Sequence, residues 1–327
     1  MGRVSIGGQA VIEGVMMKNE NKYAVAVRKP DKEIEVQVNN YAPASDKCKL
    51  LKLPIVRGVF NFVESMVIGV KTLTYSAEFF DDEEEENKKP KKKSKKSEAE
   101  NDDVSVADAD NIDSAKKKEK SDNLLMMGTV ALSIMLAVGL FMLLPAFLVT
   151  FVDDFVKNHF LLGLIEGMIR LMIFLIYVVL ISRMEDIKRT FMYHGAEHKT
   201  INCLEAGDEL TVENIMRHTR FHKRCGTSFL FIVMIVSILV FMCIRTDTIW
   251  LRLILRVLLV PVIAGISYEF IRYAGRSESK LADILSKPGL WIQRLTTIEP
   301  TPDMVEVAIK SVEGVLDWRA YLAGEDK

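Results

Sequence analysis

The chain has 327 residues, with 43 Lys and Arg against 44 Asp and Glu, a formal net charge of −1. Charged residues make up 27% of it, and yet its mean hydropathy is positive, +0.15. Charged and apolar residues must therefore be segregated along the chain, which indicates membrane spans joined by water-facing segments. The near-neutral charge argues against a nucleic-acid-binding protein, and only four cysteines exclude a secreted disulfide scaffold.

Residues 1–54 are predicted to form a small water-soluble unit that contains β structure. Two stretches, 23–28 and 33–38, alternate between apolar and polar residues and flank a Pro-Asp-Lys turn, a pattern that favours a β-hairpin. An earlier glycine-flanked apolar run, 7–17, carries a single acid, Glu13. It lacks the sequence of a phosphate-binding loop and the spacing of a dinucleotide-binding fold. We predict a turn-rich segment packed close to another backbone, from which Glu13 contributes to a site if the segment folds back onto the long loop described below.

Residues 55–80 change to a helical period. Polar residues such as Arg57 and Asn61 recur on one side of the predicted helix, and apolar residues such as Val63 and Val67 cover the other. This amphipathic pattern predicts a helix that lies in the membrane interface or on other helices, rather than one that spans the membrane.

Residues 81–122 form a charged, low-complexity linker. An acidic block at 81–86 meets a lysine run at 88–96, followed by mixed Asp, Ser and Lys. Nothing in this composition can bury an apolar face, so the linker is predicted to be disordered. The lysine run either touches anionic lipid or is simply solvated, and the neighbouring acids favour the second interpretation.

The region 123–276 contains four long apolar stretches. A helix needs about 20 apolar residues to cross the hydrocarbon core, and the third stretch is at the short end of the usable range. The sequence therefore predicts a domain of four transmembrane helices with one long loop, 183–227, between the second and the third. The predicted spans are 124–152, 160–182, 228–244 and 249–273.

Lysine and arginine residues near the ends of the spans predict their orientation. The loop 183–227, the tail 277–327 and the linker before the first span are rich in Lys and Arg. The opposite loops, 153–159 and 245–248, hold one basic residue each. By the positive-inside rule, both termini and the long loop are predicted to be cytoplasmic.

The tail, residues 277–327, is predicted to be helical. Thr301 is a good N-cap residue and Pro302 suits the first helical position, so an amphipathic helix is expected from there to about Leu322.

Four of the five histidines fall within the long loop. His194 and His198 are four residues apart, which places both imidazoles on one face of a helix beside Glu197. A second group repeats this geometry if its stretch is also helical. Neutral imidazole and thiolate are ligands that Zn²⁺ prefers, so the two groups together predict a divalent metal site, with zinc as the metal. The second group comprises His218, His222 and Cys225.

The spacing His-x-x-Glu-His is also the inverzincin signature, in which two His bind zinc and the Glu activates water. On this pattern Glu197 is the candidate catalytic base. A further ligand is expected from Glu205, or from Glu269 at the cytoplasmic end of the last span, because an acid near membrane depth is costly unless it is used. Two alternatives remain: the histidines contact lipid phosphates, or Cys225 only marks the start of the third span.

Two charged pairs lie inside the predicted spans, and each pair is four residues apart on its helix. Both fall toward the outer ends of their helices, at similar depth. They predict an ion-pair cluster that fixes helix packing, or a polar cavity for an anionic substrate head group. We favour the first. The pairs are Glu166 with Arg170, and Arg252 with Arg256.

Four sequence motifs resemble those of the YqhQ-like family of bacterial multi-pass membrane proteins, domain-of-unknown-function family 1385. The resemblance implies a bacterial cell membrane protein of a family that is often labelled metal-dependent. It also marks the candidate ligands above as interesting positions, without assigning them roles. The motifs are Gly-Gly-Gln-Ala-Val-Ile-Glu-Gly-Val-Met-Met at 7–17, Tyr-His-Gly-Ala-Glu-His-Lys-Thr at 193–200, Arg-Cys-Gly-Thr-Ser-Phe at 224–229 and Gly-Leu-Trp-Ile-Gln-Arg-Leu-Thr-Thr at 289–297.

These features together predict a mainly α integral membrane protein with four transmembrane helices and both termini in the cytoplasm. A small β-containing unit and an amphipathic interfacial helix are expected at its cytoplasmic face, above the His/Cys site. The first functional hypothesis is a metal-dependent hydrolytic enzyme that acts on a small molecule, lipid or peptide. The second is a non-enzymatic scaffold or solute-transport component in which the His/Cys site is structural. Membrane lipid is the expected partner, and nucleic acid is not.

Overall fold

The computed structural model describes residues 6–42, 49–88, 128–244, 248–277 and 279–324. These residues are mostly helical, with one small antiparallel sheet. The strands are β1 (Ile6–Val11), β2 (Gly14–Asn19), β3 (Lys22–Arg28) and β4 (Ile34–Asn40). The helices are α1 (Val56–Lys88), α2 (Gly128–Val149), α3 (His159–Ile181), α4 (Glu185–Ala206), α5 (Val212–Arg217), α6 (Gly226–Met242), α7 (Ile249–Arg276), α8 (Lys280–Thr296), α9 (Pro302–Val315) and α10 (Trp318–Ala323).

The sheet is a meander in which each strand pairs with the next. Its second hairpin, β3–β4, confirms the predicted one. The first hairpin, β1–β2, occupies the glycine-flanked run and turns tightly at Ile12 and Glu13, where Glu13 has a positive φ of 48°. The predicted turn-rich segment is therefore a pair of strands around a two-residue turn.

The two central strands are buried on both faces, which explains their nearly continuous apolar sequence. Val15 and Met17 belong to a core shared with α4 and α9. Met16 and Val25, on the opposite face, pack against the later turns of α1. The sheet is thus the middle layer between α1 on one side and α4 with α9 on the other, so the N-terminal strands and the C-terminal tail form one core.

Three helices are long and apolar enough to cross a membrane: α2, α3 and the segment Ile254–Ala274 of α7. They correspond to the first, second and fourth predicted spans, although residues 124–127 of the first lie outside the described part. The third predicted span forms α6, an apolar helix of 17 residues.

Helix α6 packs closely against α3 because two glycines on α3 remove the side chains between them. A Cβ at Gly167 would lie 2.6 Å from Ile238 Cγ1, and one at Gly163 would lie 3.0 Å from the Met242 Cα. Small residues four apart are a common basis for helix packing in membranes. Helix α6 also contacts α7 and α8, which places it at the centre of the helical layer.

The amphipathic helix α1 packs along α7 through its polar side. Arg57 donates two hydrogen bonds of 2.5 Å to the Glu269 carboxylate, and the Asn61 amide donates to the Tyr268 hydroxyl at 2.7 Å. The helix was predicted to lie in the membrane interface or on other helices. Its polar side contacts another helix, α7.

Two predicted boundaries are wrong. The backbone of α1 continues to Lys88, so the first eight residues of the predicted disordered linker are helical, while 89–122 lie outside the described residues. The helix predicted from Pro302 to Leu322 is broken after Val315, where Leu316 is extended at φ −150° and ψ 130°. The carboxylate of Asp317 accepts from the backbone N–H groups of the next turn and so starts a separate helix, α10.

Candidate metal centre

Three ligand atoms meet where α4, the loop after α5 and the start of α6 come together. His194 and His198 lie one turn apart on α4, as predicted, with ring centroids 4.4 Å apart. Cys225 is the N-cap residue of α6, and its Sγ lies 3.2 Å from His194 Nε2. One ligand atom from each of these three residues lies within 4.8 Å of the other two.

Backbone carbonyls fix the protonation pattern of both imidazoles. His194 Nδ1 is 2.8 Å from the Thr296 carbonyl oxygen, and His198 Nδ1 is 2.6 Å from that of Arg220. A carbonyl oxygen can only accept, so Nδ1 carries the proton in each ring and Nε2 keeps its lone pair. This is the pattern of metal-binding histidines, in which the second nitrogen donates to a carbonyl or carboxylate.

Glu197 is buried beside the two imidazoles. One carboxylate oxygen lies 3.8 Å from His194 Nε2 and 3.7 Å from His198 Nε2. Burial raises the pKa of the Glu197 carboxyl, and the imidazoles of His194 and His222 and the N–H donated by Gly8 oppose this rise. A Cβ at Gly8 would lie 2.7 Å from Glu197 Cγ, so strand β1 covers this carboxylate at a distance that only glycine permits.

A cavity of about 130 Å³ joins these groups. Strand β1 covers it through Gly7 and Gly8, and the histidines, Glu197 and Cys225 line it from the opposite side. Burial lowers the pKa of the His198 and His222 imidazoles, which favours the neutral form that binds metals.

Two further residues shape the centre, and neither was predicted. A Cβ at Gly195 would collide with the Ile298 carbonyl oxygen, so the glycine between the ligands lets the chain after α8 pass beside His194. Gln293 is fully buried and holds the loop: its Oε1 accepts from His222 N–H at 2.9 Å, and its Nε2 donates to the His222 carbonyl oxygen and to Ser228 Oγ, each at 2.8 Å. Both residues lie inside the motifs that carry the family resemblance.

The segment 218–225 is not helical, which corrects the expectation that its three candidates share one face. Helix α5 ends at Arg217, and His218 has an extended backbone with a ψ of 160°. The carbonyl groups that a helix would use are taken by side chains of α4: Asn202 donates to those of Thr219 and Phe221.

This extended loop separates the three candidates. Cys225 belongs to the group of three ligand atoms. His222 lines the same cavity, and its Nε2 lies 3.5 Å from the carboxylate of Glu205, which also pairs with Arg224. His218 Nε2 lies 2.9 Å from Asp208 and joins a different group with that residue and Cys203.

The structure places two further candidates, Glu269 and Glu13, away from the three ligand atoms. Glu269 is held by Arg57 of α1. Glu13 forms an ion pair of 2.5 Å with Arg189 and lies 3.3 Å from the hydroxyl of the buried Tyr193. Both acids therefore join elements to one another, Glu269 to α1 and Glu13 to the first turns of α4.

The charged residues of the predicted spans come together between the apolar helices. Glu166 lies 3.2 Å from Arg170 on its own helix and 2.5 Å from Arg256 of α7. Arg170 also lies 3.5 Å from Ser237 Oγ of α6, so the cluster joins three helices. Glu166, Arg170 and Arg256 are buried, while the side chain of Arg252 lies outside the described part.

Comparison with known proteins gives two matches. The model of the family "Protein of unknown function (DUF1385)" matches residues 53–318. The "Uncharacterized protein YqhQ" of Bacillus subtilis (strain 168) is 35% identical over 323 residues, which cover 96% of this chain and 93% of that protein. No solved structure matches. On both the extent of the family match and this identity, the chain belongs to the YqhQ-like DUF1385 family.

Proposed function

We propose that this protein is a membrane enzyme that binds one divalent metal ion of the zinc type and uses it for hydrolysis. His194, His198 and Cys225 are the proposed ligands. The observation that carries the proposal is the pair of backbone carbonyls on the two Nδ1 atoms, because they leave both Nε2 lone pairs directed at the cavity that Cys225 also lines.

The donor set fits Zn²⁺, which binds imidazole nitrogen and thiolate sulfur with little preference between geometries. Three protein ligands leave a fourth position for a water or a substrate, as in catalytic rather than structural zinc sites. Bound there, the ion supplies Lewis acidity toward an oxygen atom of the substrate or of water.

Glu197 is the proposed general base. Its carboxylate lies within 4 Å of both Nε2 atoms, and the N–H group of Gly8 holds it in place. A carboxylate at this position can take the proton from the attacking water and return it to the leaving group. His222 also lines the cavity, and its Nε2 lies 3.5 Å from the Glu205 carboxylate.

We further propose that α6 is the fourth span, with both termini in the cytoplasm of a bacterial cell. Its 17 residues are at the lower limit of length, but its contacts with α3 and α7 support the assignment. This orientation puts the metal centre at the cytoplasmic surface of the membrane. A single-cysteine labelling series in whole cells tests it.

The alternative, a scaffold or transport component, draws on the cluster around Glu166. That carboxylate is already paired with Arg170 and Arg256, and all three residues are buried. A closed cluster of this kind supports helix packing more than substrate binding, so the metal centre is the stronger candidate for the functional site.

The first test is elemental analysis of the full-length protein purified in detergent. We expect about one zinc per chain, and loss of most of it in His194→Ala and in His198→Ala. His218→Ala is the matched control, since this loop histidine pairs with Asp208, and it should keep its metal. Protein without stoichiometric metal, or equal metal in all variants, contradicts the proposal.

A second measurement separates a catalytic from a structural centre. Cobalt replaces zinc and reports its ligands through its visible spectrum. In an open centre, added azide should change the spectrum of the cobalt protein, and Glu197→Gln should keep the metal. A spectrum that azide leaves unchanged would identify a closed, structural centre.

A further inference from the structure

We infer that the apolar cavity between α1, α6 and α7 holds one hydrocarbon chain of a membrane phospholipid, whose polar end reaches the metal centre. This inference rests on the proposed function, because it names the substrate class of the same site.

The cavity has the size and lining of a binding site for a long apolar group. Its volume is about 500 Å³, within the roughly 300–1,000 Å³ of ligand sites. Apolar side chains supply most of its wall, and few polar groups interrupt them. The apolar wall residues are Phe62, Met66, Val70, Leu73, Phe229, Leu230 and Ile271.

The cavity opens at an exposed apolar rim beside a candidate membrane span. Met66, Val70 and Leu230 line it and are also 54%, 56% and 46% exposed, so they form its rim. One of its walls belongs to α7, whose segment Ile254–Ala274 is a candidate membrane span. A chain at this rim passes from bilayer to cavity without crossing water, which favours a lipid over a soluble apolar ligand.

The inner end of the cavity meets the metal centre. Arg224, Cys225 and Gly226 line both the apolar cavity and the cavity of the histidines. The proposed thiolate ligand is therefore shared between the two. Arg224 puts a guanidinium at this junction, where it also pairs with Glu205, and guanidinium groups bind phosphate well.

Strand β1 adds a further polar group to the wall of the cavity. Gln9 of β1 lines the cavity and packs on Gly69, where a Cβ would lie 2.5 Å from Gln9 Oε1. Gln9 of the sheet and Arg224 just before α6 thus supply polar groups to the wall, while its apolar residues come from α1, α6 and α7. An amphiphile with one chain inside the cavity and its phosphate at Arg224 would contact both the apolar and the polar groups of the wall.

The test uses a phosphatidylglycerol that carries a photoreactive diazirine on one acyl chain, in phosphatidylglycerol vesicles that hold the full-length protein. After illumination, mass spectrometry should locate cross-links on Leu73, Phe229 and Ile271. Ser65→Trp fills the cavity from α1 and should reduce these cross-links about tenfold. Val67→Trp adds the same side chain to an exposed position outside the cavity on the same helix and should leave them unchanged.

A second pair of variants guards against misfolding of the first. Leu230→Trp fills the cavity from α6, and Leu239→Trp is its exposed control. Cross-links that spread evenly over lipid-facing residues, or that no cavity variant reduces, overturn the inference.

Metal content separates this inference from the proposed function. The cavity variants should keep their zinc, and His194→Ala should lose zinc while keeping the cavity cross-links. Zinc without cavity cross-links rejects the lipid alone, whereas cross-links without zinc reject the metal centre and leave an apolar lipid site.

Discussion

The three cysteines that the structure describes lie in different surroundings. Cys203 is fully buried, and burial together with the nearby Asp208 raises the pKa of its thiol to about 12. Cys225 is buried at the candidate metal centre, and Cys243 is exposed at the end of α6. Only a thiolate attacks an alkylating reagent, so each cysteine should report on its own surroundings.

We predict the following pattern of alkylation by iodoacetamide at pH 8 in detergent. Cys243 reacts. Cys203 stays unmodified, because its raised pKa keeps the thiol protonated below about pH 12. Cys225 stays unmodified while metal is bound and reacts after a chelator is added, since its sulfur is then released. Peptide mass spectrometry reads all three positions at once.

Equal modification of Cys225 with and without chelator would show that its sulfur holds no metal. Raising the pH to 9 should still leave Cys203 unmodified, because this pH lies well below the pKa of its thiol. Rapid reaction of Cys203 at that pH would contradict its burial.

At the residue scale, the sequence predicted the candidate ligands on α4 from their short-range spacing. It did not predict contacts between residues that are far apart in the chain. His194 and His198 are four residues apart, and this spacing alone places them on one face of a helix. Glu269 was predicted as a candidate ligand because a carboxylate near membrane depth needs a partner. Its partner is Arg57, 212 residues earlier in the chain. Gly8 over Glu197 is likewise a contact between distant parts of the chain.

At the scale of elements, the contact between α3 and α6 depends on the absence of side chains at Gly163 and Gly167. The side chain of Ile238 occupies the space that a Cβ at Gly167 would need. Such contacts stabilise membrane helices through close backbone approach. The sequence alone does not indicate which helix packs against Gly163 and Gly167.

We predict that Gly167→Ile lowers the thermal unfolding temperature of the detergent-purified protein. Overpacking of a close contact costs about 1–3 kcal/mol. Gly139→Ile on α2 is the control, because a Cβ there has no neighbour within 4 Å among the described residues. The two variants add the same side chain, so equal shifts would mean that the α3–α6 contact is not tight.

Helix boundaries were predicted less well than helices. The start of α9 follows from Thr301 and Pro302, as expected. Its end at Val315 depends on Asp317. The Asp317 carboxylate caps a new helix, and this cap competes with continuation of α9 as one long helix. The sequence allowed both outcomes, and packing of the tail on the sheet selects the break.

At the scale of the whole molecule, α1 joins the membrane helices to the sheet. Its first turns bind α7 through Arg57 and Glu269, and its later turns cover one face of the sheet around Met16 and Val25. Gly58 and Gly265 allow the two helices to approach, because a Cβ at Gly58 would lie 3.0 Å from the Gly265 Cα. Movement of α1 would therefore disturb both the apolar helices and the strand that covers the candidate metal centre.

We predict that Arg57→Glu destabilises the protein by about 1–3 kcal/mol, since it leaves Glu269 beside a like charge. The double variant Arg57→Glu with Glu269→Arg should recover part of the loss, as read by thermal unfolding. Arg217→Glu is the control, because this arginine and Glu213 form a pair that is 70% and 78% exposed. No recovery in the double variant would mean that the two side chains do not act as a pair.

The carbonyl that fixes His194 belongs to Thr296, 102 residues further along the chain and beyond α6 and α7. During synthesis, the histidine pair on α4 leaves the ribosome long before this carbonyl exists. The centre therefore cannot be completed until the last membrane helix has been made and the chain after it has returned to α4. Incomplete chains therefore hold only part of the geometry of the candidate centre, and on the proposed function they should bind metal more weakly than the complete chain.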